Sequence, residues 1–281
     1  MSKAMAARPP KRKPRLGQHF LDSESHALQI VDALGDISAS TVLEIGPGGG
    51  ALTSLLARRA QRLIAVEVDR VLAAQLRLQF GMFRNVEILE ADILGVDFDS
   101  LLGPRPGTVS PGQDSAHAPV KVVGNLPYFI TSDILLRLFA NARHFSVLVL
   151  MVQEEVADRI VAEPGGSEYG LLSATAQLYG RAQKVLDVPR GAFRPPPNVD
   201  SAVIRIELQP RFEELQVEAK PFLAFLQHSF GQKRKTLWNN LRDQYPEDKL
   251  RAAMKSAAIP SSARAETLTL EQNAALFRAL A

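Results

Sequence analysis

The sequence contains no cysteine, which excludes a disulfide framework, a thiolate nucleophile and any cysteine-based metal site. None of its five histidines lies three or four residues from another, so no helical pair of metal ligands is available either. Long apolar runs are also absent: none reaches the roughly 18 to 20 residues that a membrane span needs, and the N-terminus lacks the apolar core of a secretory signal. We therefore expect a soluble, cytoplasmic protein with no metal and no membrane contact.

Excess charge is scarce, since the net charge is only +3, but the basic residues are clustered. Before the first acidic residue, Asp22, the chain carries Lys3, Arg8, Lys11, Arg12, Lys13 and Arg15. A second cluster, GQKRKTLWNNLR, contains Lys233, Arg234, Lys235 and Arg242. Local basic patches on a nearly balanced protein favour a polyanionic partner. A solvated tail and a charged helix face remain the alternative.

Strand-like and helix-like runs alternate along most of the chain. The strand-like runs are TVLEIG, RLIAVEV, VEILEADIL, VKVVGN, FSVLVLMVQ, AQKVLDVPRGAF and SAVIRIEL. The runs with helical spacing are SHALQIVDALGDI, GALTSLLARRA, RVLAAQLRLQF, SDILLRLF, EEVADRIVA and GLLSATAQLYG. This rhythm predicts an α/β fold with a mostly parallel sheet and helices on its faces.

The pattern changes at two places. Residues 103–119, rich in Pro, Gly and Ser, predict an exposed loop. Beyond Pro210 only helical patterns remain, in AKPFLAFLQHSF, KRKTLWNNLRD, PEDKLRAAMKSA and TLEQNAALFRALA. We predict a basic tail over 1–14, an α/β domain over 15–210 and a small all-α C-terminal domain over 211–281, with the boundary near 208–215.

The segment VLEIGPGGGALTSLL predicts a strand, a glycine-rich turn and the start of a helix. The spacing Gly46-x-Gly48-x-Gly50 suits a loop around the methionine end of S-adenosylmethionine. The same segment satisfies a looser dinucleotide fingerprint if Ala51 is the third small residue. The glycines therefore predict a nucleotide cofactor without deciding which.

Carboxylates follow the predicted strands at the same edge of the sheet. Glu67 ends the second strand, where a carboxylate can accept hydrogen bonds from both ribose hydroxyls. Asp92 ends the third strand and can accept from an adenine amino group; a helix or turn cap is the alternative. Glu44 either faces the amino-acid part of a cofactor or braces the glycine loop.

The stretch GNLPY follows the fourth strand, at the carboxyl edge where parallel sheets bind ligands. There the Asn125 side-chain oxygen and the Leu126 carbonyl would form two acceptors for the hydrogens of a nucleobase amine. Pro127 keeps Leu126 out of helical geometry and adds no competing donor. Tyr128 offers a ring on which a base removed from its helix can stack. A simple strand-end turn is the alternative.

These motifs resemble those of the bacterial ribosomal RNA adenine dimethyltransferases, most closely the small-subunit enzymes linked to kasugamycin sensitivity. The matching segments are LGQHFL, LEIGPGGG, VEVD, ADIL, GNLPYFITSDIL, FRPPPNVDSAV and RAETLTLEQ. The resemblance implies a Rossmann-like domain that binds S-adenosylmethionine and a helical domain that helps engage the ribosomal particle. It also implies dimethylation of two adjacent adenosines near the 3′ end of 16S RNA, within the small subunit or its precursor. We expect a monomer.

The resemblance assigns roles by position. It implies cofactor contacts at His19, Leu21, Gly46, Glu67, Asp92 and Asn125, and a target-adenine site at Asn125, Leu126, Pro127 and Tyr128. Phe193, which its own surroundings would place in the core, becomes the second aromatic wall of the adenine site. Lys233, Arg234 and Lys235 are then expected to bind RNA.

Three features depart from the family pattern. His19 stands where Asn is common, which alters the geometry of that contact, and Gly49 replaces a frequent Leu, which loosens the loop. The 103–119 segment is longer than usual.

Three other functions remain open. A large-subunit RNA methyltransferase that confers antibiotic resistance shares the fold, but GPGGG and PPPNVDSAV disfavour it. A nucleic-acid-binding module that has lost catalysis is disfavoured by the intact Glu67, Asp92 and NLPY. A nicotinamide dehydrogenase leaves NLPY and the basic clusters unexplained.

Overall fold

The computed structural model describes residues 19–103 and 119–281. The basic tail over 1–14 and most of the predicted 103–119 loop lie outside these ranges. The strands are β1 (Phe20–Leu21), β2 (Thr41–Ile45), β3 (Arg62–Glu67), β4 (Val86–Glu90), β5 (Val120–Asn125), β6 (Phe145–Gln153), β7 (Gly180–Val188), β8 (Phe193–Arg194) and β9 (Ser201–Leu208).

The helices alternate with the strands up to β6, and two helices lie between β6 and β7. They are α1 (Glu24–Asp32), α2 (Thr53–Arg59), α3 (Arg70–Phe80), α4 (Phe98–Leu102), α5 (Thr131–Ala140), α6 (Glu154–Val161), α7 (Leu171–Tyr179), α8 (Ala219–Ser229), α9 (Leu237–Leu241), α10 (Glu247–Ser256) and α11 (Leu270–Leu280). Local chemistry sets several helix starts. The Asp69 side chain, for example, accepts from the backbone N–H groups of Val71 and Leu72 and so begins α3.

Seven strands form one sheet in the order β4-β3-β2-β5-β6-β9-β7. The pairs from β4 across to β6 are parallel, whereas β9 is antiparallel to both β6 and β7. The chain runs outward from β2 to β4 and then returns to place β5 on the other side of β2. Such a reversal leaves a crevice between β2 and β5 at the carboxyl edge of the sheet, where open α/β sheets bind ligands.

Both faces of the sheet are covered, as the apolar strands require. Successive residues of β2 point to opposite sides: Val42 packs in the layer with α1 and α2, and Leu43 packs in the layer with α5 and the C-terminal helices. Helices α8 to α11 share this second buried cluster with the sheet, and Phe277 of α11 packs on Phe222 and Phe225 of α8.

The Rossmann-like α/β class with an all-α C-terminal region is confirmed. Beyond Leu208 the described chain forms helices and loops, and the boundary near 208–215 stays a prediction. Because the buried side chains are continuous across that boundary, a separately folding C-terminal domain stays a prediction.

Three local predictions need correction. The segment KRKTLWNNLRD is helical only over Leu237–Leu241, and Lys233–Lys235 lie in the turn before Thr236, whose hydroxyl caps α9. VEILEADIL is a strand only to Glu90, so Asp92 lies in the turn beyond it. AQKVLDVPRGAF divides into β7 and β8, and β8 pairs with β1 in a separate two-stranded sheet.

Candidate functional site

A cavity of about 320 Å³ lies at the carboxyl ends of β2, β3 and β5, where the chain reversal leaves its crevice. The predicted site residues that line it are His19, Leu21, Gly46, Glu67, Asp92, Asn125, Leu126, Pro127 and Tyr128. Residues separated by more than 100 positions in the sequence therefore meet at one edge of the sheet.

The glycine turn after β2 forms one wall of the cavity. Gly46 and Gly48 adopt φ angles of 67° and 55°, in the left-handed region that favours glycine. A Cβ on Gly48 would lie 3.0 Å from the Phe20 ring, so the turn and β1 can approach only because that side chain is missing. The Gly46 N–H donates to the Val66 carbonyl, 3.0 Å away, which ties the turn to β3.

Glu67 ends β3 with a buried carboxylate whose two oxygens are both anchored. Oε2 accepts from the Gly48 N–H at 3.1 Å, and Oε1 accepts from the Asp69 N–H at 2.9 Å. Each carboxylate oxygen can accept more than one hydrogen bond, so both keep capacity for a ligand. The carboxylate is thus held in a fixed orientation at the cavity wall.

Glu44 lies behind the glycine turn and is almost fully buried. Its Oε2 accepts from the Thr53 hydroxyl at 2.8 Å, which braces the start of α2. Its Oε1 is buried and receives no hydrogen bond from residues 19–103 or 119–281. Burial raises the pKa of this carboxyl to about 8, and the nearby Glu67 charge adds to the rise.

Asp92 combines a turn cap with an exposed side chain at the cavity. Its Oδ1 accepts from the Leu94 N–H at 2.9 Å, which fixes the turn after β4. Within the described chain no residue donates to Oδ2. Asp92 therefore does cap a turn, as the alternative expected, and its second oxygen is left for a ligand.

Asn125 and Leu126 present two acceptors that receive no hydrogen bond from residues 19–103 or 119–281. The Asn125 amide nitrogen donates to the His19 carbonyl at 3.0 Å, which fixes the amide so that Oδ1 is the remaining group. Neither Oδ1 nor the Leu126 carbonyl accepts a hydrogen bond from the part of the chain that is described. The neighbouring Pro127 carbonyl, in contrast, accepts from the Ile130 N–H at 3.2 Å and the Thr131 hydroxyl at 3.1 Å.

Tyr128 is held by its hydroxyl, which shares a 2.7 Å hydrogen bond with the Ser201 hydroxyl at the start of β9. Burial raises the pKa of the phenol, so it stays protonated at neutral pH. The His19 ring stacks near the Tyr128 ring at 6.0 Å, and its Nδ1 is 2.8 Å from the Pro195 carbonyl. Sequence reasoning missed Ser201; its one signal is a polar residue beginning the apolar run SAVIRIEL.

Phe193 lies outside the cavity lining, and its role as a second aromatic wall stays a prediction. Its ring is fully buried in the cluster that contains Val188, Ala192 and Val203, and it does not line the cavity. The cause is the pairing of β8 with β1, which sets Phe193 opposite Leu21 and turns the ring into the core. The burial agrees with the placement expected from its own surroundings.

Lys233 and Lys235 lie at a different cleft, between the loop before α9 and helices α6 and α7. The Lys233 ammonium donates to the Ser167 carbonyl at 2.6 Å, and all three basic residues of the turn are exposed. The structure thus separates this basic turn from the cavity. Within the described ranges no helix is long and apolar enough to cross a membrane, and no acidic or histidine cluster could hold a metal.

The family model described as "Ribosomal RNA adenine dimethylase" matches residues 10–281. The chain is 53% identical over 271 residues to "Ribosomal RNA small subunit methyltransferase A" of Koribacter versatilis, covering 96% of this chain and 95% of that one. The chain is also 49% identical over 280 residues to the protein of the same name from Acidobacterium capsulatum, covering 99% and 95%.

The chain belongs to the ribosomal RNA adenine dimethylase family.

This adenine dimethylase also resembles solved structures. A dimethyladenosine transferase from Plasmodium falciparum superimposes with a TM-score of 0.74 at 24% identity, covering 92% of this chain and 96% of that one. The 23S rRNA methyltransferase ErmE gives 0.67 at 26% identity, covering 93% and 99%. The predicted methyltransferase class is confirmed by the family, and the nicotinamide dehydrogenase alternative is wrong. The roles of individual residues stay predictions.

Proposed function

We propose that this chain transfers methyl groups from S-adenosylmethionine to the N6 amines of two adjacent adenosines near the 3′ end of 16S RNA, dimethylating both. The observation that carries the proposal is the pair of unpartnered acceptors at Asn125 and Leu126, beside the Tyr128 ring. The curated relatives named "Ribosomal RNA small subunit methyltransferase A" support the small-subunit substrate.

The residues of the cavity fit S-adenosylmethionine. The anchored Glu67 carboxylate suits the two ribose hydroxyls, and the unpaired Oδ2 of Asp92 suits the adenine amino group. The unpaired buried oxygen of Glu44 suits a cationic group, and this molecule carries an ammonium and a sulfonium. His19, Leu21 and Gly46 complete the wall. When bound, S-adenosylmethionine supplies an electrophilic methyl group.

The acceptor pair prepares the adenine nitrogen. In free adenine the N6 lone pair is delocalised into the ring, so the amine is a poor nucleophile. Asn125 Oδ1 and the Leu126 carbonyl would each hold one N6 hydrogen, which favours a pyramidal nitrogen with its lone pair directed out of the ring plane. The amine becomes acidic once methylated and can lose its proton to water, so no strong general base is needed.

Pro127 and Tyr128 position the base. The Pro127 carbonyl is already occupied by Ile130 and Thr131, so the turn is fixed and the Leu126 carbonyl would be the one to hold the substrate amine. The Tyr128 ring, held by Ser201, provides the stacking face, a contact worth roughly 1 to 3 kcal/mol per base. This stacking offsets part of the free energy that is needed to remove the target base from its RNA stack.

The basic turn Lys233–Lys235 would contact phosphates of the particle while the cavity holds the adenine. Its exposure and its separation from the cavity suit a backbone contact rather than a base contact. We expect the chain to act as a monomer in the cytoplasm, on the small subunit or its precursor.

The test is label transfer from methyl-labelled S-adenosylmethionine to three substrates: undermethylated small subunits, large subunits and protein-free RNA. We expect strong incorporation with small subunits and little with large subunits. Incorporation into large subunits only would favour the antibiotic-resistance activity. Tight binding of small subunits without transfer, under conditions in which a known enzyme succeeds, would instead indicate a binding module.

A further inference from the structure

Phe129 is an aromatic side chain that the proposed mechanism does not use. Its side chain is 69% exposed, and it is the only aromatic residue among the exposed large apolar side chains of the described chain. It lies at the cavity lining, directly after Tyr128. A large ring left in water beside a ligand cavity indicates a contact that forms only when substrate is present.

The backbone holds Phe129 outward. Residues Tyr128–Ile130 form a single 3₁₀ turn that begins after Pro127 and runs directly into α5 at Thr131. The Pro127 carbonyl accepts from both the Ile130 N–H and the buried Thr131 hydroxyl, which closes the turn. These hydrogen bonds fix the backbone from which the exposed Phe129 ring projects.

We propose that Phe129 stacks on the nucleobase that neighbours the target adenosine, so that consecutive rings of the protein bind consecutive bases of the RNA. Tyr128 is tethered inward to Ser201 and takes the target, whereas Phe129 points outward at the rim and takes the neighbour. The inference rests on the proposed function, in which two adjacent adenosines are both substrates.

Removing a base from a helix leaves both that base and its neighbour with an unstacked face. The target base loses its stacking partners, and the neighbouring base loses the target. Any base can stack on an aromatic ring, so Phe129 can serve whichever nucleotide adjoins the target. Because the neighbour is itself the second substrate, the same stacking would keep the RNA aligned between the two rounds of methylation.

The test compares Phe129→Ala and Phe129→Trp with Leu136→Ala, a control that removes another exposed apolar side chain, on α5 and outside the cavity lining. We expect Phe129→Ala to raise the KM for undermethylated small subunits about tenfold, as the loss of one stacking interaction implies. Phe129→Trp should restore the wild-type KM, and Leu136→Ala should leave it unchanged. The affinity for S-adenosylmethionine, measured by calorimetry, should be the same for all four proteins.

A second experiment tests whether Phe129 contacts the neighbouring base. It uses small subunits reconstituted with RNA in which one of the two adenosines lacks its base. Methylation of the remaining adenosine should be weakened for the wild type, and Phe129→Ala should add no further loss. A Phe129→Ala penalty of the same size on these particles would mean that the ring touches a ribosomal protein or another nucleotide, and would overturn the proposal. So would a wild-type KM for Phe129→Ala on intact particles. Failure of the wild type to methylate intact particles would instead refute the proposed function.

Discussion

At Asn125, one hydrogen bond decides what the rest of the side chain can do. The amide nitrogen is bound to the His19 carbonyl, so the amide cannot rotate to present its N–H₂ to the substrate. The oxygen that remains, together with the Leu126 carbonyl, forms an acceptor pair that matches the two hydrogens of an exocyclic amine. The chemistry of the site follows from which hydrogen bonds the protein has already made.

Replacing Asn125 should therefore separate catalysis from cofactor binding. We expect Asn125→Ala to lower the rate of methyl transfer about 100-fold, the usual loss when one preorganised polar group facing a transition state is removed. The dissociation constant for S-adenosylmethionine should change far less. Single-turnover kinetics and calorimetry measure the two quantities, and equal losses in both would reduce Asn125 to a cofactor-binding residue.

Glu44 predicts a dependence of stability on pH. Its pKa in the folded protein is raised to about 8 from an ordinary value of 4.5, so the folded state holds the proton more tightly than the unfolded state. The stabilisation that the folded protein gains from holding this proton is fully present below pH 4.5 and is lost as the pH rises through 8. Each unit of pKa shift corresponds to about 1.4 kcal/mol.

Glu44→Gln removes this titration. Thermal unfolding without ligand should give Tm values for the two proteins that diverge as the pH rises from about 5 to 8, with the variant becoming the more stable. The exposed Glu24→Gln on α1 is the matched control and should follow the wild type. Parallel curves for Glu44→Gln and wild type would show that the Glu44 carboxyl is not the titrating group.

At the scale of elements, the site exists because β2 and β5 lie side by side at the chain reversal. Gly124, near the end of β5, makes this approach possible: a Cβ there would lie 2.6 Å from the Ile45 carbonyl oxygen. Both the glycine turn and Asn125 follow directly from these two strand ends. A change that pushes the strands apart would alter both halves of the cavity.

Gly124→Ala should accordingly destabilise the protein by about 1–3 kcal/mol, the usual cost of overpacking, and weaken binding of S-adenosylmethionine. Gly191→Ala is the matched control, because a Cβ at Gly191 would meet nothing within 4 Å and its φ is not positive. Denaturant unfolding measures the stability of each. Equal stabilities for the two variants would mean that the β2–β5 packing can relax without cost.

The sequence predicts this part of the molecule well because its signals are local. Glycines at fixed spacing, apolar runs and the Pro in NLPY each restrict a few neighbouring residues, and the topology of a parallel sheet then brings Glu67 and Asn125 together. The pairing of β1 with β8 has no such signal, since each strand has only two residues and they lie more than 170 positions apart. Without that pairing, the position of His19 could not be predicted from local signals.

The sequence predicts helix for the basic turn before α9 because Lys and Arg favour helices, whereas the Thr236 cap begins the helix after them.

We expect charge reversal at Lys233, Arg234 and Lys235 to weaken small-subunit binding and to lower its salt dependence, by about one unit of slope for each phosphate that is no longer neutralised. The same reversal at the exposed Lys220 and Lys249 is the control. Unchanged binding, measured across a salt series, would mean that these three residues are solvated surface residues that do not contact RNA.

At the scale of the whole molecule, the sheet and the C-terminal helices are joined rather than merely tethered. They share one buried cluster, and the Arg211 guanidinium, just beyond β9, binds Glu214 at 2.6 Å and Glu271 of α11 at 2.7 Å. The Arg211 backbone N–H in turn donates to the Leu178 carbonyl of α7 at 2.9 Å, which links the segment that carries the basic turn to the part of the chain that carries the cavity. A substrate large enough to reach both, such as a ribosomal particle, is what this arrangement suits.

The most direct test of N6 dimethylation is mass spectrometry of the 3′ terminal fragment of 16S RNA, taken from undermethylated small subunits incubated with the protein and S-adenosylmethionine. We predict four added methyl groups, carried as N6,N6-dimethyladenosine at two adjacent positions. Methyl groups on a ring nitrogen or a ribose, or an RNA that gains none while a known enzyme methylates the same particles, would contradict the proposed activity.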